Sequence, residues 1–144
     1  MQKQDITYLY NDSGYTRCDI VYKNKTFTGH AYCLDVDKDF QSEKTGCFIA
    51  ERKAFIKKLK FIKSELAAAL SVLENFEKTL KSCKEYNSKS FEAKRLRKEI
   101  YLKRKKLQEI ETAIKDEQDY LTYYIQNKDK FYLFCIGSVH CIGR

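Results

Sequence analysis

Residues 47–86 read CFIAERKAFIKKLKFIKSELAAALSVLENFEKTLKSCKEY, and the spacing of the apolar positions in this stretch decides the fold. Leu59, Leu66, Leu73 and Leu80 recur every seven residues, and Phe48, Phe55, Ile62, Ala69, Phe76 and Cys83 repeat at the same interval, offset as the second position of an a/d seam. The pattern predicts one long helix over residues 47–86. A second seam follows in residues 91–130, carried by Ile100, Leu107, Ile114 and Leu121 with Ile110 and Tyr124 alongside. Between them, Asn87, Ser88, Lys89 and Ser90 interrupt the periodicity, and Ser88 or Ser90 can cap the next helix. Two seamed helices with a short connector form an antiparallel hairpin. The chain has no proline, and its glycines are expected to fall outside both helices.

Upstream the period changes to two. Asp5 to Tyr10 alternates, Asn11, Asp12, Ser13 and Gly14 supply turn chemistry, and Tyr15 to Tyr22 reads as a second strand. Asn24 and Lys25 then separate a third strand running from Thr26 to Leu34, which completes a short antiparallel meander. The polar stretch from Asp35 to Gly46 is expected to be a loop. Its Asp35, Asp37 and Asp39 have calcium-loop spacing, but Phe40 and Gly46 stand where that loop needs glycine and a bidentate glutamate. The fold class is therefore α+β. Residues 1–46 form the meander and loop, 47–86 and 91–130 the helices, and 131–144 an apolar-rich tail, all within a single domain over 1–144.

Helices of this length, about 55 to 60 Å at roughly 1.5 Å per residue, exceed what a three-stranded sheet covers, so a homo-oligomer is expected. No run of apolar residues is long enough to span a membrane, and Met1 to Asp5 lack a signal-peptide pattern, which points to the cytoplasm. The six cysteines contain no C-x-x-C pair and are expected to stay reduced. The basic excess is local. Eight cations between Lys94 and Lys106 stand against Glu99 alone, so seven of the net +8 charges sit on this one stretch. A local cationic face implies an anionic partner.

No catalytic motif contains His30 or His140, and no cofactor fingerprint is present, so a non-enzymatic binding protein is expected. Cys135, His140 and Cys141 lack a fourth ligand at zinc-site spacing, which leaves no metal site assigned. Counting back by sevens from Leu59 places Arg52 on the apolar stripe, where a guanidinium must be paired, ligand-bound or snorkelling outward. About a turn near Asn87, Arg52 falls opposite Thr122 and Arg104 opposite Leu70. The two arginines are then about 18 residues apart, roughly 27 Å at the helical rise. They can share a small anion only across copies of the chain. Arginine suits such a ligand because its planar fork donates two parallel hydrogen bonds to phosphate. Near the connector, Phe91 and Phe76 are candidates to stack on a base, although Phe76 belongs to the seam and is expected in the core. Asn87 offers one donor and one acceptor to a base edge.

The segments Asp5 to Gly14, Thr16 to Tyr22, Lys25 to Ala31 and Phe40 to Gly46 resemble bacteriophage Thoeris anti-defence proteins of the first described family, most strongly over residues 5–65. The resemblance implies an N-terminal antiparallel sheet with two long helices, assembled as a dimer or hexamer in the host cytoplasm. It further implies a sponge that sequesters cyclic ADP-ribose isomers made by bacterial TIR-domain enzymes, and in some members cyclic oligonucleotides. The family's pocket uses arginines, an asparagine and an aromatic ring at a subunit interface. On this chain these match Arg52, Asn87 and Arg104, with Phe91 or Phe76 as the ring and Arg17 as a further contact. The alternative is a nucleic-acid-binding coiled-coil protein that lays residues 94–106 on phosphates.

Overall fold

The computed structural model describes residues 5–10, 14–32 and 43–127. Strand β1 (Asp5–Tyr10), strand β2 (Tyr15–Tyr22) and strand β3 (Lys25–Tyr32) precede two helices, α1 (Glu43–Lys81) and α2 (Phe91–Gln126). The α+β class and the order of elements agree with the sequence pattern. The tail with Cys135, His140 and Cys141, and the aspartates at 35, 37 and 39, lie outside the described residues.

The sheet is antiparallel in the order β1-β2-β3, with Tyr8 opposite Cys18 and Cys18 opposite Gly29. The β2–β3 turn falls one residue earlier than the sequence suggested. Lys23 and Asn24 both take positive φ, 49° and 62°, and Tyr22 pairs with Lys25. A two-residue hairpin needs that handedness to match strand twist, and Asn24 adopts it readily.

The chain divides into two compact units, residues 1–58 with 115–144, and residues 59–114. In the first, Cys18, Ile20 and Ala31 on one sheet face meet Ala50 and Ala54 of α1, with Ile6, Tyr8, Ile49 and Phe55 around them. The approach is close because small residues face one another. A Cβ on Gly29 would strike the carbonyl oxygen of Ala50 and lie 2.7 Å from the Ala54 nitrogen. A Cβ on Gly46 would strike the Thr16 hydroxyl. This corrects two expectations: Gly46 lies inside α1, and residues 43–46 are helical instead of loop. A helical glycine costs about 1 kcal/mol relative to alanine, and here the lost side chain is what lets α1 seat on β2. Beside β3, which pairs only with β2 among the described residues, Lys53 Nζ donates to the His30 carbonyl at 2.9 Å and Lys57 Nζ to the Thr28 carbonyl at 2.6 Å. Near the end of α2, the buried Tyr124 ring lies 4.4 Å from that of Phe48, between centroids.

In the second unit the seam residues Leu73, Leu80, Ile100 and Leu107 do pack together, but around Leu70 and Leu96, which neither sequence series contained. Leu70, Leu96 and Ile100 are buried, with Leu73, Leu80 and Leu107 packed against them. The Phe48 series does not stay inside. Phe76 is 54% exposed and Cys83 is exposed, although the seam pattern placed Phe76 in the core. A straight helix drifts about 20° per heptad, so one of two parallel series rotates outward while the leucine series holds the contact. α1 ends at Lys81, short of residue 86, where Ser82 and Cys83 close tighter i→i+3 bonds to Thr79 and Leu80. Ser90 caps α2, its Oγ accepting from the Ala93 amide at 3.2 Å.

Candidate anion-binding site

Arg52 is the best-defined candidate. Its guanidinium carbon sits 5.1 Å from the centroid of the Phe48 ring, and Nη1 donates to both Glu117 oxygens at 3.2 and 3.1 Å. The side chain is 36% exposed, so it neither floats in solvent nor is sealed in the core. Sequence counting put it opposite Thr122, whereas its partner is Glu117, over a turn of α2 away. Glu117 occupies the same seven-residue series as Ile110 and Tyr124. That acid in an apolar series was the available signal for the partner of Arg52. Nη1 makes every hydrogen bond of this guanidinium among the described residues, which leaves Nε and Nη2 as uncommitted donors.

Arg17, in the same unit, projects from the sheet face that α1 does not cover. It holds Asp19 through Nε at 3.0 Å and Nη2 at 2.9 Å, and Thr28 Oγ1 donates to the same carboxylate at 2.6 Å. Those hydrogen bonds, from Arg17 first and Thr28 second, keep the Asp19 carboxyl below its usual range and hold the guanidinium charged. Beside them, Tyr15 and His30 are joined through Tyr15 Oη and His30 Nδ1 at 2.7 Å, with Tyr32 5.1 Å from the Tyr15 ring. His30 is thus satisfied by a strand neighbour, as its position in β3 suggested. Arg17 and Arg52 share no interaction with each other.

The second unit holds the remaining candidates. Arg104 donates through Nε and Nη2 to Glu74 Oε1 at 3.2 and 3.1 Å, one turn beyond the predicted Leu70 level, and its Nη1 makes no hydrogen bond among the described residues. Asn87 Oδ1 accepts from the Lys89 amide at 3.0 Å, an Asx turn that shapes the connector, and its amide nitrogen makes no hydrogen bond among the described residues. Arg97 Nη2 ties the same connector down at the Ser88 carbonyl, 2.7 Å away. Phe91 is 73% exposed on the rim of an open hollow of about 250 Å³ lined by Glu92, Arg95, Leu96 and Glu99. Two carboxylates against one guanidinium make that hollow a poor seat for an anion by itself. Among the described residues no hydrogen bond, ion pair or ring contact joins Asn87, Phe91, Phe76 and Arg104 to one another.

One buried cation escaped the sequence reading. Lys58 is only 5% exposed, its ammonium 4.8 Å from the Tyr22 ring centroid and 5.7 Å from that of Phe55, and burial lowers its pKa. Among the described residues no helix is long and apolar enough to cross a membrane. In comparisons with known proteins, no family model, curated protein or solved structure matches the chain.

Proposed function

We propose that this protein is a non-catalytic sponge that retains a cyclic ADP-ribose isomer, keeping an immune signal intact but out of reach of its effector. The observation that carries the reading is the Arg52 guanidinium, placed on the Phe48 ring and held at Nη1 by Glu117, with Nε and Nη2 left to grip a phosphate. Arg104 keeps Nη1, Asn87 keeps its amide nitrogen, and Phe76 and Phe91 are exposed rings able to stack on a base. Among the described residues no hydrogen bond or ring contact joins these groups, and the reading has a second copy of the chain complete the pocket. A sponge without turnover must bind tightly, about −12 kcal/mol for a nanomolar site, which charge-assisted hydrogen bonds in an enclosed pocket supply better than an open basic face.

The test is to incubate purified protein with cyclic ADP-ribose isomers, remove free ligand, release the bound fraction by heat and determine its mass. Intact recovery, lost in Arg52→Ala and Arg104→Ala, is the expected result. A changed mass reveals catalysis, and no retention ends the proposal.

A second reading, nucleic-acid binding, draws on the exposure of Lys94, Arg95, Arg97, Lys98, Lys105 and Lys106 along α2. It requires affinity to fall steeply with salt as several counterions are released, whereas a small-molecule pocket gives a shallow slope.

A further inference from the structure

Ala50, Ala54 and Lys58 stand four residues apart on α1 and so share the stripe of the helix that is turned to the sheet. Ala50 and Ala54 are fully buried against Cys18 and Ile20. Their small side chains bring the helix close, and its next turn carries Lys58 in beside Tyr22, the last residue of β2. Lys58 is 5% exposed, and its ammonium faces the rings of Tyr22 and Phe55. Lys23, in the turn that follows, sets a second ammonium 5.4 Å from the centroid of the same Tyr22 ring. Among the described residues Lys58 makes no hydrogen bond and no ion pair. The charged groups around it offer none. On α1, Lys57 donates to the Thr28 carbonyl, Glu51 accepts from Tyr8 Oη at 2.9 Å, and Ala54, Phe55, Phe61 and Ile62, one turn to either side, carry no charge. On the sheet, Asp19 is held by Arg17 on the face that α1 does not cover, Asp5 stands opposite Val21 on that same face, and Lys25, opposite Tyr22, is a further cation. On α2, Glu117 is taken by Arg52. Two ring faces attract a cation but supply no acceptor for its three N–H groups, and burial removes the water that would. Burial accordingly pulls the Lys58 pKa below 10.5. The nitrogen is nevertheless not sealed: the Thr16 hydroxyl is cut off from solvent without a partner, whereas Lys58 Nζ is not cut off. The stem is covered and the tip is open.

An amine short of hydrogen bonds, with a second cation for a neighbour and apolar walls around its stem, is placed as lysines are that attack carbonyl carbon. We infer that Lys58 is a carbonyl-capture site, at which the amine condenses with a small aldehyde to form an imine. The ammonium first gives one proton to water. The nitrogen lone pair then bonds to the carbonyl carbon, and the carbonyl oxygen leaves as water with the two hydrogens that remain on nitrogen. A C=N bond replaces the C=O bond with no change of oxidation state, so no oxidant or reductant is required. The narrow opening favours a short aldehyde, and Lys23 disfavours a cationic one. Lys53 and Lys57 on the same helix are the internal contrast, because each donates to a carbonyl oxygen of β3, a bond that keeps the proton on nitrogen. The site is separate from Arg52 and stands whether or not the chain retains a cyclic ADP-ribose isomer.

The probe is propanal with cyanoborohydride, which delivers hydride to the imine carbon and fixes the adduct as a secondary amine. The full chain is treated at about pH 7, digested, and the rate of alkylation at each lysine read by mass spectrometry. Lys58 is expected to react severalfold faster than the exposed Lys94 and Lys105, and faster than Lys53 and Lys57. Near pH 10 the exposed lysines also shed their protons. There the lead of Lys58 is expected to disappear, since their amines are the more freely approached. Lys58→Arg keeps a positive charge on the two rings and is expected to remove the fast adduct while leaving the other rates unchanged, with circular dichroism verifying that the helices are retained. The wild-type rates decide the matter without the variant. A Lys58 that reacts no faster than Lys94 at neutral pH would overturn the inference, as would a lead that persists undiminished near pH 10.

Discussion

Arg52 and Glu117 are a charged pair set into two otherwise apolar series, the guanidinium on the Leu59 series and the carboxylate on the Ile110–Tyr124 series, joined at 3.1 Å. Part of the arginine remains in water, so the ion pair is worth about 1 kcal/mol or less, and the Phe48 ring adds about 0.5 to 1 kcal/mol. Arg52→Ala is therefore expected to lower stability by about 1 to 2 kcal/mol in urea unfolding while abolishing ligand retention. A variant that unfolds in buffer would mean that Arg52 is a structural keystone and that its loss says nothing of binding.

Gly29 is expected to be the least tolerant position in the sheet. Gly29→Ala drives a methyl group into the backbone of α1 at Ala50 and Ala54, and backbone cannot turn aside as a flexible side chain does. The cost should be about 3 kcal/mol or more. Gly46→Ala meets the Thr16 side chain instead and should be milder, with Thr16→Ala in the same chain relieving it. Equal urea midpoints for Gly29→Ala and wild type would contradict the packing.

Lys58 gives the fold a distinctive alkaline behaviour. Burial lowers its pKa from 10.5, so the protonated folded form carries a penalty wherever pH lies below the folded value. As pH rises from the folded pKa toward 10.5 the unfolded chain holds the extra proton, and by linkage the native state gains stability. Lys58→Met lacks this term. The stability difference between variant and wild type should therefore favour the variant at neutral pH and shrink as pH approaches 10.5, measured by urea unfolding at successive pH values. A difference that does not change with pH would show that the ammonium is well solvated.

Asp19 should behave in the opposite sense. Its carboxyl is held below 3.8 by the hydrogen bonds from Arg17 and Thr28, so its contribution is present above the unfolded value and is lost as pH falls through the folded one. The site is largely open to solvent, which keeps the effect on stability small. Carboxyl-carbon NMR is the suitable readout: Asp19 is expected to titrate below the usual aspartate range and to move up in Arg17→Ala and, by less, in Thr28→Val.

The helices and strands were legible because each obeys one clear period: Leu59, Leu66, Leu73 and Leu80 mark α1, while Thr16, Cys18 and Ile20 alternate along β2. The ends of α1 were not. Glu43 to Gly46 look like loop until Thr16 is known to pack on Gly46, and the stop at Lys81 carries neither proline nor glycine. Phe76 was misplaced because heptad counting assumes an undrifting stripe. Of the candidate site, the need of Arg52 for a partner followed from its position, yet the identity of that partner depended on where two helices come level, which counting from Asn87 gave wrongly by more than one turn. Lys63 and Glu111, equidistant from Asn87, do pair, at 3.6 Å. The error does not grow steadily away from the connector, since Arg104, nearer to it, pairs with Glu74 a turn from Leu70.

The two α1 lysines beside β3 bear on how this chain behaves in a crowded solution. With Nζ of Lys53 and Lys57 already occupying the outward oxygens of His30 and Thr28, a strand offered by another molecule finds those acceptors taken and two positive charges in its way. Accretion into a ladder of stacked chains is obstructed on that margin. Removing the two amines, by acetylation or by mutation to an apolar residue, would open a docking rail for aggregation where the native protein has closed one.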